Sequence, residues 1–231
     1  LLPSAMMVMQ NPRVDNILLG YNALFYDRVQ RYGLILQSLF FPPDIPARAN
    51  FFPDSNSRWA SVSAYLPLFS LTGVVVYFKS HKKTWLKRLI AICAIMAFVP
   101  LLNSLFSMAN TEYYARWFYM PILMLCLATV ISLEDVQVPY TGGIKFCGIV
   151  VGLFLILGIL PSYGENGELE FFSMTNFPDR YWAYMAIAAA SLVLVFLLLK
   201  LRGKMKFKQF TRITTLCVCV VIFGEGVLLL G

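Results

Sequence analysis

Arginine beside an aromatic ring recurs in this 231-residue chain, at Arg58-Trp59, Arg116-Trp117 and Arg180-Tyr181-Trp182. A guanidinium presents paired donors in a planar fork that matches phosphate oxygens, where a lysine offers only a point charge. The same pairing also describes an aromatic belt with a cation reaching for water. A second polar cluster comprises Asn103, Ser104, Ser107, Asn110, Glu112, Tyr114 and Arg116. Asn103, Ser107 and Asn110 recur every three to four residues and share a helix face. Glu112 and Arg116 stand four apart, so they either neutralise each other or serve a ligand. Upstream, Phe51-Phe52 beside Asp54, Asn56 and Arg58 places apolar rings next to polar groups. That arrangement suits a lipid-linked substrate, or it anchors a loop at the membrane surface.

These residues need a scaffold, and composition identifies its kind. The chain is 59% hydrophobic and 13% charged, with 19 Phe, 12 Tyr and 4 Trp, whereas soluble domains carry roughly 25% charged residues. A compact water-facing body would not cover that much apolar surface. Disorder, collagen-like repeats and a disulfide-rich secreted module are excluded. A helix needs about 20 mostly apolar residues to cross a bilayer. Six runs qualify: 60–78, 89–107, 117–131, 146–160, 181–199 and 213–230, the third and fourth being short and extending into their flanks. The expected fold is all-α: a polytopic transmembrane bundle of about six spans (60–231), preceded by an external segment (1–59) with an amphipathic helix and a loop.

The net charge of +7 resolves into two sides. Lysine-rich loops at 79–88 and 200–212 mark the cytoplasmic face by the positive-inside rule. Alternation then puts all nine lysines inside, while the seven outer cations are arginines: Arg13, Arg28, Arg31, Arg48, Arg58, Arg116 and Arg180. Most acids fall outside, and Glu134 and Asp135 are the inner exceptions. The basic balance therefore reports topology and attraction to anionic lipid, not a nucleic-acid footprint.

In the external segment, Leu24, Phe25, Val29, Tyr32, Leu36, Leu39 and Phe40 follow helical spacing, interrupted by Asp27, Arg28, Gln30, Arg31 and Gln37. This predicts an amphipathic helix over 21–41 lying in the interface or packed on an external body. Four prolines then make 41–58 a loop or lid. Leu1 to Met9 reads as the tail of an earlier helix, so the chain is expected to be an internal piece of a longer protein. Pro100 interrupts the second run, and Asn103, Ser104 and Ser107 are placed to satisfy the freed backbone groups or to face a cavity. Glu225 is the carboxylate inside a span, in an interhelical or a chemical role. The five cysteines lie in apolar runs and the single His81 is remote from them, so neither a disulfide framework nor a metal site is expected. No cofactor-binding motif is present; Gly142-Gly143 lacks the Lys-Ser or Lys-Thr of a phosphate loop.

The segments Asn50-Phe-Phe-Pro-Asp54 leading to Arg58-Trp-Ala-Ser, Val99-Pro-Leu-Leu-Asn-Ser-Leu-Phe106, and Tyr113-Tyr-Ala-Arg-Trp-Phe-Tyr-Met-Pro121, with the order of spans and the late glutamate, resemble the YfhO family of bacterial membrane proteins. That family looks like glycosyltransferases of the C-type fold. The resemblance implies a multi-pass enzyme of the bacterial plasma membrane. It would take a sugar from an undecaprenyl-phosphate carrier on the outer face and pass it to an envelope polymer such as teichoic acid. A lipid-carried donor fixes its phosphate at headgroup depth, where Arg58 and Arg116 are expected to offset its charge, Asn103 and Tyr114 to orient sugar or phosphate, and Asp54 or Glu112 to contact hydroxyls. The family's catalytic acid, expected in an external loop upstream of Leu1, matches no residue here. Two other classes stay open, a transporter or flippase of lipid-linked sugars and a non-enzymatic membrane scaffold.

Overall fold

The computed structural model describes residues 20–42, 64–107, 113–135, 137–163, 169–172, 175, 177–202 and 204–230. Among these residues are eight α-helices: α1 Gln30–Gln37, α2 Leu68–Ser80, α3 Trp85–Phe98, α4 Pro100–Ser104, α5 Tyr119–Glu134, α6 Thr141–Ile159, α7 Pro178–Arg202 and α8 Phe207–Leu230. Two antiparallel two-residue strands, Ser162–Tyr163 and Leu169–Glu170, form a small hairpin between α6 and α7. The chain is an all-α, multi-pass membrane protein by helix length and hydropathy.

Among the described residues four helices are long and apolar enough to cross a bilayer, or five if a bent pair counts as one span, where the sequence predicts about six. Arg116–Glu134, Thr141–Ile159 and Pro178–Arg202 recover the third to fifth runs, with the short ones extended into their flanks as expected. The first run differs. Residues 64–67 have no regular secondary structure and α2 begins only at Leu68, behind Pro67. Its 13 residues reach about 20 Å, short of the roughly 30 Å hydrocarbon core. The second run is bent by 98° between α3 and the Pro100–Ser107 piece. Val99 there is extended (φ −107°, ψ 115°) and Pro100 opens the next helix. Proline has no N–H to continue the first helix and biases its predecessor away from helical angles, which explains the corner. The predicted amphipathic helix also shrinks, to Gln30–Gln37. It packs on the bundle through Leu34 and Ile35, flanked by the buried Tyr26 and Phe41. Most of the 41–58 loop lies outside the described residues.

The short α2 is the most enclosed element, packed against α5, α6 and α7. Apolar attraction between helices is weak in lipid, so close approach and polar ties carry association. Gly73 lets Thr129 in so tightly that a Cβ there would come within 2.6 Å of the threonine methyl. Gly143 meets the Thr72 carbonyl in the same way. Thr129 Oγ1 donates to Ser70 O (2.6 Å) and Ser132 Oγ to Gly73 O (2.9 Å). Around them Leu68, Tyr77, Leu86, Ala128, Cys147, Tyr181 and Met185 form the core. The outward faces are apolar instead: Ile149 and Leu153 on α6, Val193 and Leu197 on α7, and Leu216, Val220 and Phe223 on α8 are exposed. That inversion of a soluble surface fits a hydrocarbon solvent.

The lysine-bearing connections gather at one end. Lys79 Nζ donates to Gly142 O at 3.3 Å, and Arg202 Nη2 to Leu133 O at 2.8 Å. These bonds join all three segments that the charge pattern places on a common side.

Candidate functional site

The α3–α4 corner builds a polar nest at the opposite end. Helix α4 starts with Asn103 N donating to Val99 O at 2.9 Å. The Asn103 side chain is fully buried, and its Oδ1 accepts from Tyr114 N at 2.7 Å. This bond ties the approach to α5, residues 113–118, onto the broken span. An asparagine amide also carries two donors, and Nδ2 has no partner in hydrogen-bonding geometry. Ser104 and Ser107 donate back to Leu101 O and Ser104 O, so they serve backbone groups of their own turn.

Further aromatic rings enclose the corner. Tyr26 comes from the segment before α1, donates its hydroxyl to Ala97 O at 2.8 Å and stands beside the Asn103 amide. Its ring packs edgewise on Tyr113 (5.7 Å) and Tyr32 (5.3 Å). The Arg31 guanidinium lies 5.8 Å from the Tyr26 ring and 5.7 Å from the Tyr113 ring, within cation–π range. Tyr113 Oη and Trp117 Nε1 are buried and unpartnered, like Asn103 Nδ2. Trp117 stacks on Phe106 at 4.5 Å, which fixes its indole. Burial pushes the Tyr26 and Tyr113 hydroxyls well above the ordinary phenol value, and the nearby Arg31 opposes that only in part. Both therefore remain neutral donors at physiological pH, beside a cation.

An apolar crevice of about 140 Å³ adjoins the nest, lined by Ile35, Leu39, Ala64, Ile90, Cys93 and Phe118 among others. Phe118 belongs to the segment that Asn103 ties down, so nest and crevice share a wall. Buried donors without partners cost about 1–3 kcal/mol each. A site holding several of them beside an apolar slot is suited chemically to an oxygen-rich head carried on an apolar chain.

Of the residues expected at the site, Asn103, Tyr114 and Arg116 come together. Arg116 is exposed, with its guanidinium 5.8 Å from the Tyr114 ring. Arg58, Asp54 and Glu112 lie outside the described residues. Tyr113 and Trp117 fall inside the same polar stretch without a role expected of them, and Tyr26 and Arg31 come from outside it. Arg31 reads in sequence as one polar position of an amphipathic stretch, and only the fold brings it over Tyr113. Arg180 stands elsewhere, 4.8 Å from the Phe177 ring, beside the buried Tyr181. Glu225 is buried and accepts from Tyr65 Oη at 2.7 Å, an interhelical clamp between α8 and the lead-in to α2. Among the described residues no three His, Cys, Asp or Glu side chains gather as metal ligands. Comparison with family models, curated proteins and solved structures finds no match for the chain.

Proposed function

We propose that this chain is the core of an integral membrane glycosyltransferase of the bacterial plasma membrane. It takes a sugar from a polyprenyl-phosphate carrier and passes it to a cell-envelope glycopolymer on the outer face. The observation that carries this reading is the pair of unpartnered buried donors, Tyr113 Oη and Trp117 Nε1, near the buried Asn103 amide and beside an apolar crevice. In the reaction the bond from sugar C1 to carrier phosphate breaks and a bond from C1 to an acceptor oxygen forms. The acceptor proton leaves to a base that no described residue is assigned to supply. Charge accumulates on the departing phosphate, and Arg116, Arg31 and neutral donors at that depth would offset it. Arg58, expected from the sequence at the same depth, joins them in this proposal.

The test is transfer from synthetic polyprenyl-phosphate sugars by the full-length protein, with Asn103→Ala, Arg58→Lys and Arg116→Lys variants. Stably inserted Arg116→Lys protein is expected to lose most transfer, because lysine cannot reproduce a forked contact. Normal transfer by that variant removes Arg116 from the site. A second reading, a transporter or flippase of lipid-linked sugars, draws support from the 98° break and the short α2 with its non-helical lead-in, features of discontinuous-helix carriers. Carrier crossing reconstituted vesicles without sugar transfer would favour it.

A further inference from the structure

The lysine-bearing end holds a second site, independent of the outer nest. Between α6 and α7 lies a groove of about 510 Å³ lined by Val138, Tyr140, Thr141, Ile144, Phe196, Leu199, Lys200 and Arg202. Its walls change character along its length. Ile144, Phe196 and Leu199 belong to the apolar parts of the two helices, while Lys200 and Arg202 close the end of α7. Arg202 is held in place rather than left free. One Nη donates to Leu133 O at 2.8 Å, and the guanidinium sits 5.6 Å from the Tyr140 ring. A guanidinium has five N–H donors in a rigid fork, so most of its capacity is left after that bond. Tyr140 is only 6% exposed, and its hydroxyl has no partner. Glu134 and Asp135, both exposed, are the acids on the same connection.

We propose that this groove binds an anionic phospholipid from the leaflet on the lysine-bearing side. Its phosphate sits against Arg202 and Lys200, with Tyr140 as an added donor, and one acyl chain lies along Ile144, Phe196 and Leu199. The occupant is a lipid rather than a soluble phosphate because the cationic end continues directly into an apolar wall facing hydrocarbon. A free anion would leave that wall unused. Basic pockets between transmembrane helices recognise lipid headgroups on this chemistry.

Full-length protein is delipidated and reconstituted in nanodiscs containing phosphatidylcholine with or without phosphatidylglycerol, and the retained lipid is measured by native mass spectrometry after release. Wild type is expected to retain phosphatidylglycerol preferentially. The double variant Lys200→Gln, Arg202→Gln should lose at least about fivefold of that preference, the scale of one basic residue near an anionic surface. Lys208→Gln, Arg212→Gln, which removes equal charge from α8 outside the groove, should keep it. Ile144→Trp leaves all charges and fills the slot, and it should lower retention as well. Equal loss in the two charge variants, or full retention by Ile144→Trp, overturns the site. So does displacement by millimolar inorganic phosphate, which would make the ligand a soluble anion. Melting temperature in detergent, compared across variants, separates loss of lipid from loss of fold.

Discussion

Asn103 is tied at its oxygen, which holds Tyr114 N, while its amide stands beside the Tyr26 hydroxyl. Asn103→Ala should strand the Tyr114 amide and cost about 1–3 kcal/mol, read as a lower melting temperature in detergent. Ser104→Ala should cost less, since its hydroxyl serves only the Leu101 carbonyl one turn back. The raised Tyr26 and Tyr113 hydroxyls give a pH test. Their folded values lie above the unfolded phenol value of about 10. The fold therefore holds more protons than the unfolded chain over that interval. Their contribution is full below about pH 10 and falls as pH rises beyond it. Alkaline titration of the melting temperature should show that fall, and Tyr26→Phe with Tyr113→Phe should flatten it. Asn103, Tyr114 and Arg116 were legible in the sequence because they crowd into one short polar stretch. Tyr26 and Arg31 were not, since a tie such as Tyr26 to Ala97 spans 71 positions and leaves no local pattern.

Helices show a similar division. The runs that became α5, α6 and α7 are readable because unbroken apolar length is what a span requires. The shortened α2 and the α3–α4 corner escape a hydropathy count, which weighs Pro67 and Val99-Pro100 by polarity and overlooks their backbone angles. Close packing is equally silent in sequence, since glycines of one helix read alike. In α6, a Cβ at Gly143 would meet the Thr72 carbonyl at 2.5 Å, whereas one at Gly152 would meet nothing within 4 Å. Gly143→Ala should therefore destabilise the protein by about 1–3 kcal/mol, the usual cost of overpacking. Gly152→Ala should be neutral or slightly stabilising. Thermal unfolding of the two variants side by side checks the contrast; equal effects would deny the α2–α6 contact.

At the scale of the whole molecule, one end carries Lys79, Lys200 and Arg202 in mutual reach of a few connecting segments. The charge pattern predicts that this end is cytoplasmic. In a cysteine-free background, Lys83→Cys and Lys204→Cys should react with a membrane-impermeant maleimide only after cells are opened. Phe172→Cys, exposed beside the small hairpin, should react in intact cells. The reverse pattern would invert the topology and move the nest to the inner face.

Helix α8 is attached differently from the rest. Of its described side chains only Phe210, Thr214 and Glu225 are buried, and the Tyr65 hydroxyl grips the last of these. A rod wetted by lipid along most of its circumference, resting on α7 and held near its far tip by one side-chain bond, is a mast with a single stay. Harsh, small-micelle detergents, which supply little lateral pressure, should let it lean away before the remaining bundle loosens. Amide exchange would then rise along α8 while the α2 core stays protected, and Tyr65→Phe would bring that event on in milder solvents.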